Sequence, residues 1–328
     1  MYFLLFLPGK LIKVIFMSII PVIDFDGFYT DGASRRQEIV DEVDRCASQI
    51  GFMYAKNLSV SNDLKQRAFQ NSADFFNLPT KDKQRFTYEG ADSNHGYQGF
   101  ASERLDQSKP VDLKEAFTMR DIPLSIAEGR PWPSDNYRDV AVELFKRSLA
   151  DANTVMEAFS EALDLPLDFF RKCHNGEVIT LRYLHYPLID QEPKEGQLGA
   201  GAHTDYGTVT LLYQDDVGGL EVKGADGMWH QATYIPDTVI INTGDLMSRW
   251  TNEKYCSTLH RVRTRTRKKA KATDRYSIAF FADPDNDTLI RVLPSCQSQK
   301  NPPKFKDTTA GEHIQERIAA SLILSGSG

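Results

Sequence analysis

Residues 201–212 read GAHTDYGTVTLL and place a histidine and an aspartate two positions apart, where an apolar, β-branched run begins. Alternate side chains of a strand project from the same face, so a strand starting here would hold His203 and Asp205 side by side. An imidazole and a carboxylate in that arrangement can bind a divalent metal ion. Because His-x-Asp pairs also arise by chance at solvated strand ends, the interpretation depends on finding further ligands.

The composition is that of a globular chain. Its 328 residues are 41% hydrophobic and 26% charged, enough for a sizeable core in one large domain or two. The formal charge of -6 gives no electrostatic reason to expect nucleic acid as a partner, and we interpret the one basic cluster, 263–271, as a solvated loop. Four cysteines without framework spacing favour a reduced protein of the cytoplasm, or also the nucleus, without disulfides.

The amino terminus is apolar but too short to cross a membrane. Its uninterrupted apolar run covers only 2–7, and it lacks the basic start and the small-residue cleavage site of a secretory signal. Met17 stands directly before the first strand-like run, SIIPVIDF. We therefore expect residues 1–16 to be a dispensable extension, with a short membrane-surface anchor as the alternative, and we predict no membrane span.

Helical patterns fill the first half of the chain. Helical spacing of apolar residues predicts one helix capped by Ser34, a second opened by Ser61, and a long spine helix from about Tyr137 to Leu163. Between the second helix and the spine, residues 89–110 are rich in Gly, Asn, Ser and Asp. This composition predicts an irregular excursion that either covers a ligand site or packs on the body of the protein.

Short β-rich runs dominate from Glu177 onward. Their Gly and Pro punctuation indicates a sandwich or a double-sheet barrel, and a capping-box spacing of Thr309 and Glu312 predicts a closing helix. Helices first and strands later read as an α+β fold. We expect five divisions: an extension over 1–16, an amino-terminal region over 17–130, a spine helix and connector over 131–176, a β-rich core over 177–290, and a carboxy-terminal segment over 291–328.

A metal site needs a third donor from another strand. We expect His230 to point outward from a hairpin, and we interpret His185 as a histidine of the core or of the layer behind the ligands. His260, in STLHRVRT, lies on a strand-like run that could pair back to the His203 face. Two imidazoles and one carboxylate leave three positions open, as in non-haem Fe(II) oxygenases, whereas a zinc hydrolase site is usually four-coordinate.

A second pattern, DRYSIAFF, follows His260. It places Arg275 and Ser277 on one face of a strand that we expect to pair with the His260 strand as a hairpin. A guanidinium fork and a hydroxyl together suit the carboxylate of a chelating acid. Arg-x-Ser is common by itself. It indicates a binding site here because it follows His-x-Asp and a distal histidine in the sequence.

Five ordered segments carry a family resemblance: HTDYGTVTLL, GGLEV, VIINTGDLMSRWTN, STLHRV and RYSIAFF. They resemble the Fe(II)- and 2-oxoglutarate-dependent dioxygenase superfamily, in its isopenicillin N synthase-like branch. The segments IPVIDF, GFMYAKN, FFNLPTKDKQRF and DLKEAFTM are similar to the amino-terminal region of that branch. The resemblance implies a distorted jelly roll, or double-stranded β-helix, flanked by helices, with 17–130 as the amino-terminal dioxygenase region and 177–290 as the catalytic core.

The resemblance also assigns site residues. It implies His203, Asp205 and His260 as iron ligands, with no catalytic residue beyond them. For the co-substrate it implies three contacts: Arg275 and Ser277 on the C5 carboxylate, and Tyr186. Plant members have Asn-Tyr-Tyr-Pro where this chain has LHYP, residues 184–187, so the Asn contact to the co-substrate is absent. The segment RYLHYP is more similar to fungal and bacterial members such as the thymine hydroxylases.

The implied reaction is oxidative decarboxylation of 2-oxoglutarate, coupled to hydroxylation or a related C–H oxidation of a small organic substrate. Its cofactors would be Fe(II), 2-oxoglutarate and O2, with ascorbate as an optional reductant. Candidate pocket walls are Tyr97, Phe100, Arg182, Trp250 and Phe281. Two alternatives stay open: an Fe(II) oxidase of the same fold that does not use 2-oxoglutarate, and a non-catalytic jelly-roll binding protein.

Overall fold

A computed structural model describes residues 2–7, 10–15, 19–88, 90, 93–267 and 272–323, with side chains from residue 19 to residue 317 within those ranges. The helices are α1 (Gly32–Gln49), α2 (Asn62–Phe76), α3 (Thr80–Lys83), α4 (Ile122–Ala127), α5 (Asp135–Ala162), α6 (Asp245–Trp250) and α7 (Ala310–Ile323). The strands are β1 (Tyr2–Leu7), β2 (Lys10–Ile15), β3 (Val22–Asp24), β4 (Phe52–Lys56), β5 (His95–Gln98), β6 (Glu115–Arg120), β7 (Thr180–Tyr186), β8 (Ala200–His203), β9 (Val209–Gln214), β10 (Leu220–Lys223), β11 (Trp229–Gln231), β12 (Thr238–Thr243), β13 (His260–Val262), β14 (Arg275–Ala282), β15 (Leu289–Ile290) and β16 (Thr308–Thr309).

Two sheets organise the strand-rich half of the chain. The larger has the order β3-β4-β12-β9-β14-β7-β6-β5 and is antiparallel except for the β3–β4 pair. The smaller has the order β11-β10-β13-β8 and is antiparallel throughout. The mixture of helices with a sheet-rich second half agrees with the α+β interpretation.

The large sheet buries both of its faces. On one face, Tyr183 of β7 and Phe280 of β14 lie in a core shared with the apolar stripe of α5, including Val155. On the other face, Leu184 and Ala279 lie in a second core shared with the small sheet. Neighbouring residues of one strand therefore serve different cores, because successive side chains of a strand point to opposite faces. The space between the two sheets is the interior considered below.

Side-chain hydrogen bonds mark the starts of three helices. Ser61 and Ser134 cap α2 and α5, and each hydroxyl accepts a hydrogen bond from the backbone N–H three residues on, at 3.2 and 3.1 Å. Thr309 and Glu312 bond each other's backbone N–H groups at the start of α7, as their capping-box spacing predicts. The prediction for Ser34 is wrong, because α1 begins two residues earlier, at Gly32.

The amino-terminal residues form a backbone hairpin in which β1 and β2 pair from Tyr2 opposite Ile15 to Leu7 opposite Lys10. This pairing does not test whether the segment is dispensable. No helix in the described part of the chain is long and apolar enough to cross a membrane. All four cysteines are free.

The basic cluster is described only in part, because Lys268, Lys269 and Lys271 lie outside the described residues. Arg267 forms an ion pair with Asp190 at 2.9 Å, and both side chains are well exposed. Such a pair is typical of a solvated loop.

The excursion over 89–110 is more ordered than predicted, since it contains β5 at the edge of the large sheet. Beyond β5 the chain crosses to β8, the edge strand of the small sheet. Asp112 makes the connection: its Oδ1 accepts a hydrogen bond from Gly201 N at 2.9 Å, and its Oδ2 accepts from Leu105 N and Lys114 Nζ, both at 3.1 Å. The side chain of Asp112 is buried. The end of the excursion, with Asp112, therefore lies against the edge strand β8.

Asp112→Ala should loosen β8, because the Gly201 N–H loses a buried acceptor and the buried Lys114 ammonium loses a partner. We expect faster amide exchange over 200–203 in hydrogen–deuterium exchange, and a free energy of unfolding lower by about 3–5 kcal/mol in chemical denaturation, as for a broken buried pair. The control is Asp139→Ala, which removes an exposed carboxylate paired with Arg138 and should cost less than about 1 kcal/mol. Unchanged exchange over β8 in Asp112→Ala would contradict this role.

Candidate active site

Two histidines lie opposite each other on adjacent strands of the small sheet. Strands β8 and β13 pair antiparallel with His203 opposite His260, and the ring centres lie 4.2 Å apart. Directly opposite residues of antiparallel strands project from the same face, so the register itself brings the two imidazoles together. The structure thus joins the two histidines that the sequence analysis grouped.

Asp205 reaches the histidines by a different route from the one predicted. Strand β8 ends at His203, so Asp205 lies in the following turn rather than on the strand. The start of α6 holds this turn, since Asp245 N donates to the Asp205 carbonyl at 2.8 Å. The same-strand argument is therefore wrong, although its outcome, adjacent imidazole and carboxylate groups, is observed.

The Asp205 carboxylate has two differently occupied oxygens. Oδ2 accepts hydrogen bonds from Thr210 Oγ1 at 2.6 Å and from Asn242 Nδ2 at 2.7 Å. Oδ1 faces the imidazoles, 3.6 Å from His260 Nε2 and 3.9 Å from His203 Nε2. Hydrogen bonds to one oxygen fix the orientation of the carboxylate and leave the other oxygen available to a metal ion.

The imidazoles are oriented in the same way. His203 Nδ1 lies 2.7 Å from the Gly201 carbonyl and His260 Nδ1 lies 3.2 Å from the Thr258 carbonyl. An Nδ1–H that donates to a backbone carbonyl leaves the Nε2 lone pair for a metal. One donor atom from each of His203, Asp205 and His260 lies within 4.8 Å of the others.

Burial and neighbouring groups together set the protonation states of this cluster. Desolvation, reinforced by the charges of His260 and Lys114, lowers the pKa of His203 to about 3. Burial alone would raise the pKa of Asp205, but the neighbouring imidazoles and the bonds from Asn242 and Thr210 hold it below its ordinary value. Near neutral pH the cluster therefore combines a neutral His203 with an ionised carboxylate, the forms that bind divalent metals.

Arg275 and Ser277 lie together on β14, facing the interior. Both are 1% exposed, and Arg275 Nη1 donates to Ser277 Oγ at 3.2 Å. Among the described residues, Arg275 Nε and Nη2 have no hydrogen-bond partner. Such groups are costly to bury, so their presence indicates a ligand that accepts from them.

The predicted hairpin between the His260 and Arg275 strands is wrong. Strand β13 belongs to the small sheet, whereas β14 lies in the large sheet between β9 and β7. In that position Arg275 pairs in register with Tyr186, and its guanidinium carbon lies 4.7 Å from the centre of the Tyr186 ring. Arg275 and Tyr186 therefore face the small sheet across the interior.

His185 points the other way and belongs to the core. Its Nδ1 lies 2.8 Å from Glu115 Oε1, its Nε2 lies 3.0 Å from Asp274 Oδ2, and its ring stacks on Tyr276. Asp274 is thereby engaged with His185, which leaves the Arg275 guanidinium to the interior.

A charged cluster lies near the histidines, and of its members the sequence analysis had singled out only Arg182. Arg182 Nη2 bonds Glu103 Oε1 at 2.6 Å and Gln98 Oε1 at 2.8 Å, and Lys114 Nζ lies 3.4 Å from Glu103 Oε2. The charges of Arg182 and Lys114 outweigh burial and lower the pKa of Glu103 to about 2. Lys114 Nζ also donates to Asp112, which accepts from the N–H of Gly201 two residues before His203, so this cluster lies near the metal-type site.

The candidate pocket residues lie in three different places. Arg182 and Phe281 share the interior face of the large sheet with Ala279. Tyr97 lies on the opposite face, where it bonds Glu115, and it lines an outer cavity of about 440 Å³ together with Phe100.

Trp250 is 1% exposed in the helix-side core, where its ring lies 5.3 Å from that of Phe170. For Tyr97 and Trp250 the assignment to the wall of the site is wrong, because an aromatic side chain has the same sequence signature in a core and in a pocket. The assignment of Phe100, whose side chain is exposed, stays a prediction.

Comparisons with known proteins agree with this geometry. The model of the 2OG-Fe(II) oxygenase superfamily matches residues 175–284, and that of the non-haem dioxygenase in morphine synthesis N-terminal region matches residues 20–138. A 2-oxoglutarate-Fe(II) type oxidoreductase of Emericella nidulans, hxnY, is 31% identical over 90% of this chain and 88% of its own. A 2-oxoglutarate-Fe(II) type oxidoreductase of Aspergillus fumigatus is 29% identical over 92% and 93%.

Solved structures give the same result. The full-length thymine-7-hydroxylase of Neurospora crassa in complex with alpha-KG has a TM-score of 0.82 and 31% identity, covering 92% of this chain and 96% of that one. A putative 2OG-Fe(II) oxygenase family protein of Caulobacter crescentus has a TM-score of 0.80 and 28% identity, covering 93% and 99%. The predicted family is confirmed: this chain is an enzyme of the 2OG-Fe(II) oxygenase superfamily.

Proposed function

We propose that this chain binds Fe(II) through His203, Asp205 and His260 and 2-oxoglutarate through Arg275, Ser277 and Tyr186, and that it oxidises a C–H bond of a small organic substrate. The observation that carries the proposal is the buried Arg275, whose Nε and Nη2 lack a partner among the described residues while the interior also holds the metal-type cluster. Bound Fe(II), with 2-oxoglutarate and O2, supplies the oxidation, with succinate and CO2 as co-products.

The donor set fits an Fe(II) ion. Two Nε2 atoms and one carboxylate oxygen leave three positions open, enough for a chelating keto acid and O2. Hydrogen bonds behind each donor fix its direction, so the protein supplies a preorganised half of the coordination sphere.

The Arg275 pocket fits a carboxylate. The guanidinium has N–H groups without a hydrogen-bond partner among the described residues, and the Ser277 hydroxyl adds a donor. The Tyr186 ring forms one side of the pocket. A charge-assisted, forked contact in a dry environment is strong and directional. Asp215 is the nearby compensating charge, since Arg275 acts to lower its pKa against the larger effect of burial. The Asp215 carboxylate accepts hydrogen bonds from two backbone N–H groups, while Arg275 Nε and Nη2 have no hydrogen-bond partner among the described residues.

The substrate would lie between the iron and the cluster of Arg182, Glu103 and Lys114, with Phe281 as an apolar wall. Lys114, which is buried, and Arg182, which is partly buried, are both balanced by carboxylates and favour a small polar molecule. The solved structures of the Neurospora crassa hydroxylase include one with alpha-KG and thymine, a small polar ring.

For the fold we propose a distorted jelly roll formed by the two sheets, which the antiparallel pairings and the shared interior core support. The corresponding divisions are an extension over 1–16, an amino-terminal dioxygenase region over 17–130, a spine helix and connector over 131–176, the catalytic core over 177–290, and a carboxy-terminal segment over 291–328.

Removing a metal ligand should abolish Fe(II)-dependent turnover without unfolding the protein. His203→Ala, Asp205→Ala and His260→Ala each delete one donor atom of the cluster. Elemental analysis should show loss of bound iron, and circular dichroism should show unchanged secondary structure. The control is His230→Ala, on the β10–β11 hairpin, where the ring is bonded to Asp226. An Asp205→Ala protein that still binds one Fe(II) tightly would remove Asp205 from the site.

Anaerobic addition of Fe(II) and 2-oxoglutarate should produce a weak visible charge-transfer band, because two adjacent oxygens of the keto acid bind one iron. Arg275→Ala should weaken 2-oxoglutarate binding by about 2–5 kcal/mol, roughly 30-fold or more, as for the loss of one partner of a buried charged pair. Ser277→Ala should cost about 1 kcal/mol, as for a single hydrogen bond.

The matched control is Arg263→Ala, whose guanidinium is exposed beside Glu221 and should leave the band unchanged. If the unmodified protein gives neither the band nor slow succinate formation, 2-oxoglutarate is not the co-substrate. An Fe(II) oxidase of the same fold then becomes the better description.

A further inference from the structure

The closing helix α7 reaches the turn after β8 through one side chain, that of Arg317. Its Nη2 lies 3.3 Å from Thr204 Oγ1, and its guanidinium carbon lies 5.1 Å from the centre of the Tyr206 ring. Thr204 and Tyr206 are the residues immediately before and after Asp205. A single residue more than a hundred positions away therefore contacts both neighbours of a proposed metal ligand.

The same guanidinium is tied to the backbone of Asp205 through Asp245. Arg317 Nε lies 3.0 Å from Asp245 Oδ2, and the Asp245 Oδ1 accepts a hydrogen bond from Ser257 Oγ at 2.5 Å. Asp245 is the first residue of α6, and its N–H donates to the Asp205 carbonyl. Arg317, Asp245 and the Asp205 turn thus form one connected network.

This network is too exposed to matter much for global stability. The Arg317 side chain is 42% exposed and that of Asp245 is 17% exposed, and an ion pair of this kind contributes less than about 1 kcal/mol. Its effect should instead lie in geometry. Asp205 is the one ligand placed by a turn rather than by strand register, and a metal site requires its donor atoms to be held within a fraction of an ångström.

We propose that Arg317 is a positioning residue that fixes the Asp205 turn, so that the carboxy-terminal helix contributes to metal affinity. This inference rests on the proposed metal site. Through the turn, α7 influences how well Asp205 Oδ1 is aligned with the two Nε2 atoms. Among the residues of α7 whose side chains are described, none is a proposed ligand.

The test is Co(II) affinity of the full-length protein, measured anaerobically by competition with a chromophoric chelator. Arg317→Met keeps the aliphatic stem but removes the guanidinium, and should raise the Co(II) dissociation constant about 5-fold, less than the roughly 10- to 100-fold effect of losing a direct partner of a ligand. Arg317→Lys keeps a cation beside Asp245 but loses the forked guanidinium. Its Co(II) affinity should therefore fall between those of the unmodified protein and of Arg317→Met. The control is Arg291→Met, which removes an exposed pair with Asp307 from the same carboxy-terminal segment.

Thr204→Val supplies a second arm, since it removes only the hydroxyl that Arg317 contacts. If Arg317 acts through the turn, the double variant Arg317→Met/Thr204→Val binds Co(II) no more weakly than Arg317→Met alone. Multiplying effects, or an Arg317→Met affinity within about twofold of Arg291→Met, would overturn the proposal. Failure of the unmodified protein to bind Co(II) would instead count against the metal site itself.

Thermal unfolding of the metal-free Arg317→Met and Arg291→Met proteins should coincide, and a selective loss of stability in Arg317→Met would assign Arg317 to the fold instead.

Discussion

The carboxylate of Asp205 is where the two sheets meet at the site. Its Oδ2 is bonded to Thr210 and Asn242, which belong to β9 and β12 of the large sheet. Its Oδ1 faces the two histidines of the small sheet, which register places opposite each other. The distance between the metal-type donors therefore depends on how the sheets pack, and the apolar residues between the sheets are part of the site, since the ring of Phe52 packs against that of His260.

The parts of this site that follow from local rules could be predicted from the sequence. Strand alternation places Arg275 and Ser277 on one face wherever their strand lies, and hydrogen-bonding side chains mark the starts of α2 and α5. Strand partners are different: β14 pairs with β7 and β9, which precede it by about 60 to 100 residues, so nothing in its own sequence excludes the hairpin that was predicted. Long-range pairing is decided by the packing of the whole sheet rather than by neighbouring residues.

Two members of the charged cluster, Glu103 and Lys114, had no such signal. Both lie outside helices and strands, and charged residues at irregular spacing usually indicate a solvated surface. Only the tertiary fold shows that Lys114 is buried and that Glu103 pairs with both Lys114 and Arg182. The misassigned Trp250 is the converse case, because a bulky aromatic residue fits the core as well as a pocket. Residue type alone predicted a side chain's position where strand alternation fixed its direction. It did not predict the position where only the tertiary fold decides it.

The incompletely bonded guanidinium of Arg275 links activity to folding. Burying a polar group without a partner costs about 1–3 kcal/mol, so the ligand-free protein carries a destabilising term that a bound dicarboxylic acid would remove. By thermodynamic linkage, the acid at a hundred times its dissociation constant raises the free energy of unfolding by about 2.7 kcal/mol. The melting temperature therefore rises with the concentration of the acid. Selection for a robust fold and selection for co-substrate binding therefore act in opposite directions at this one position.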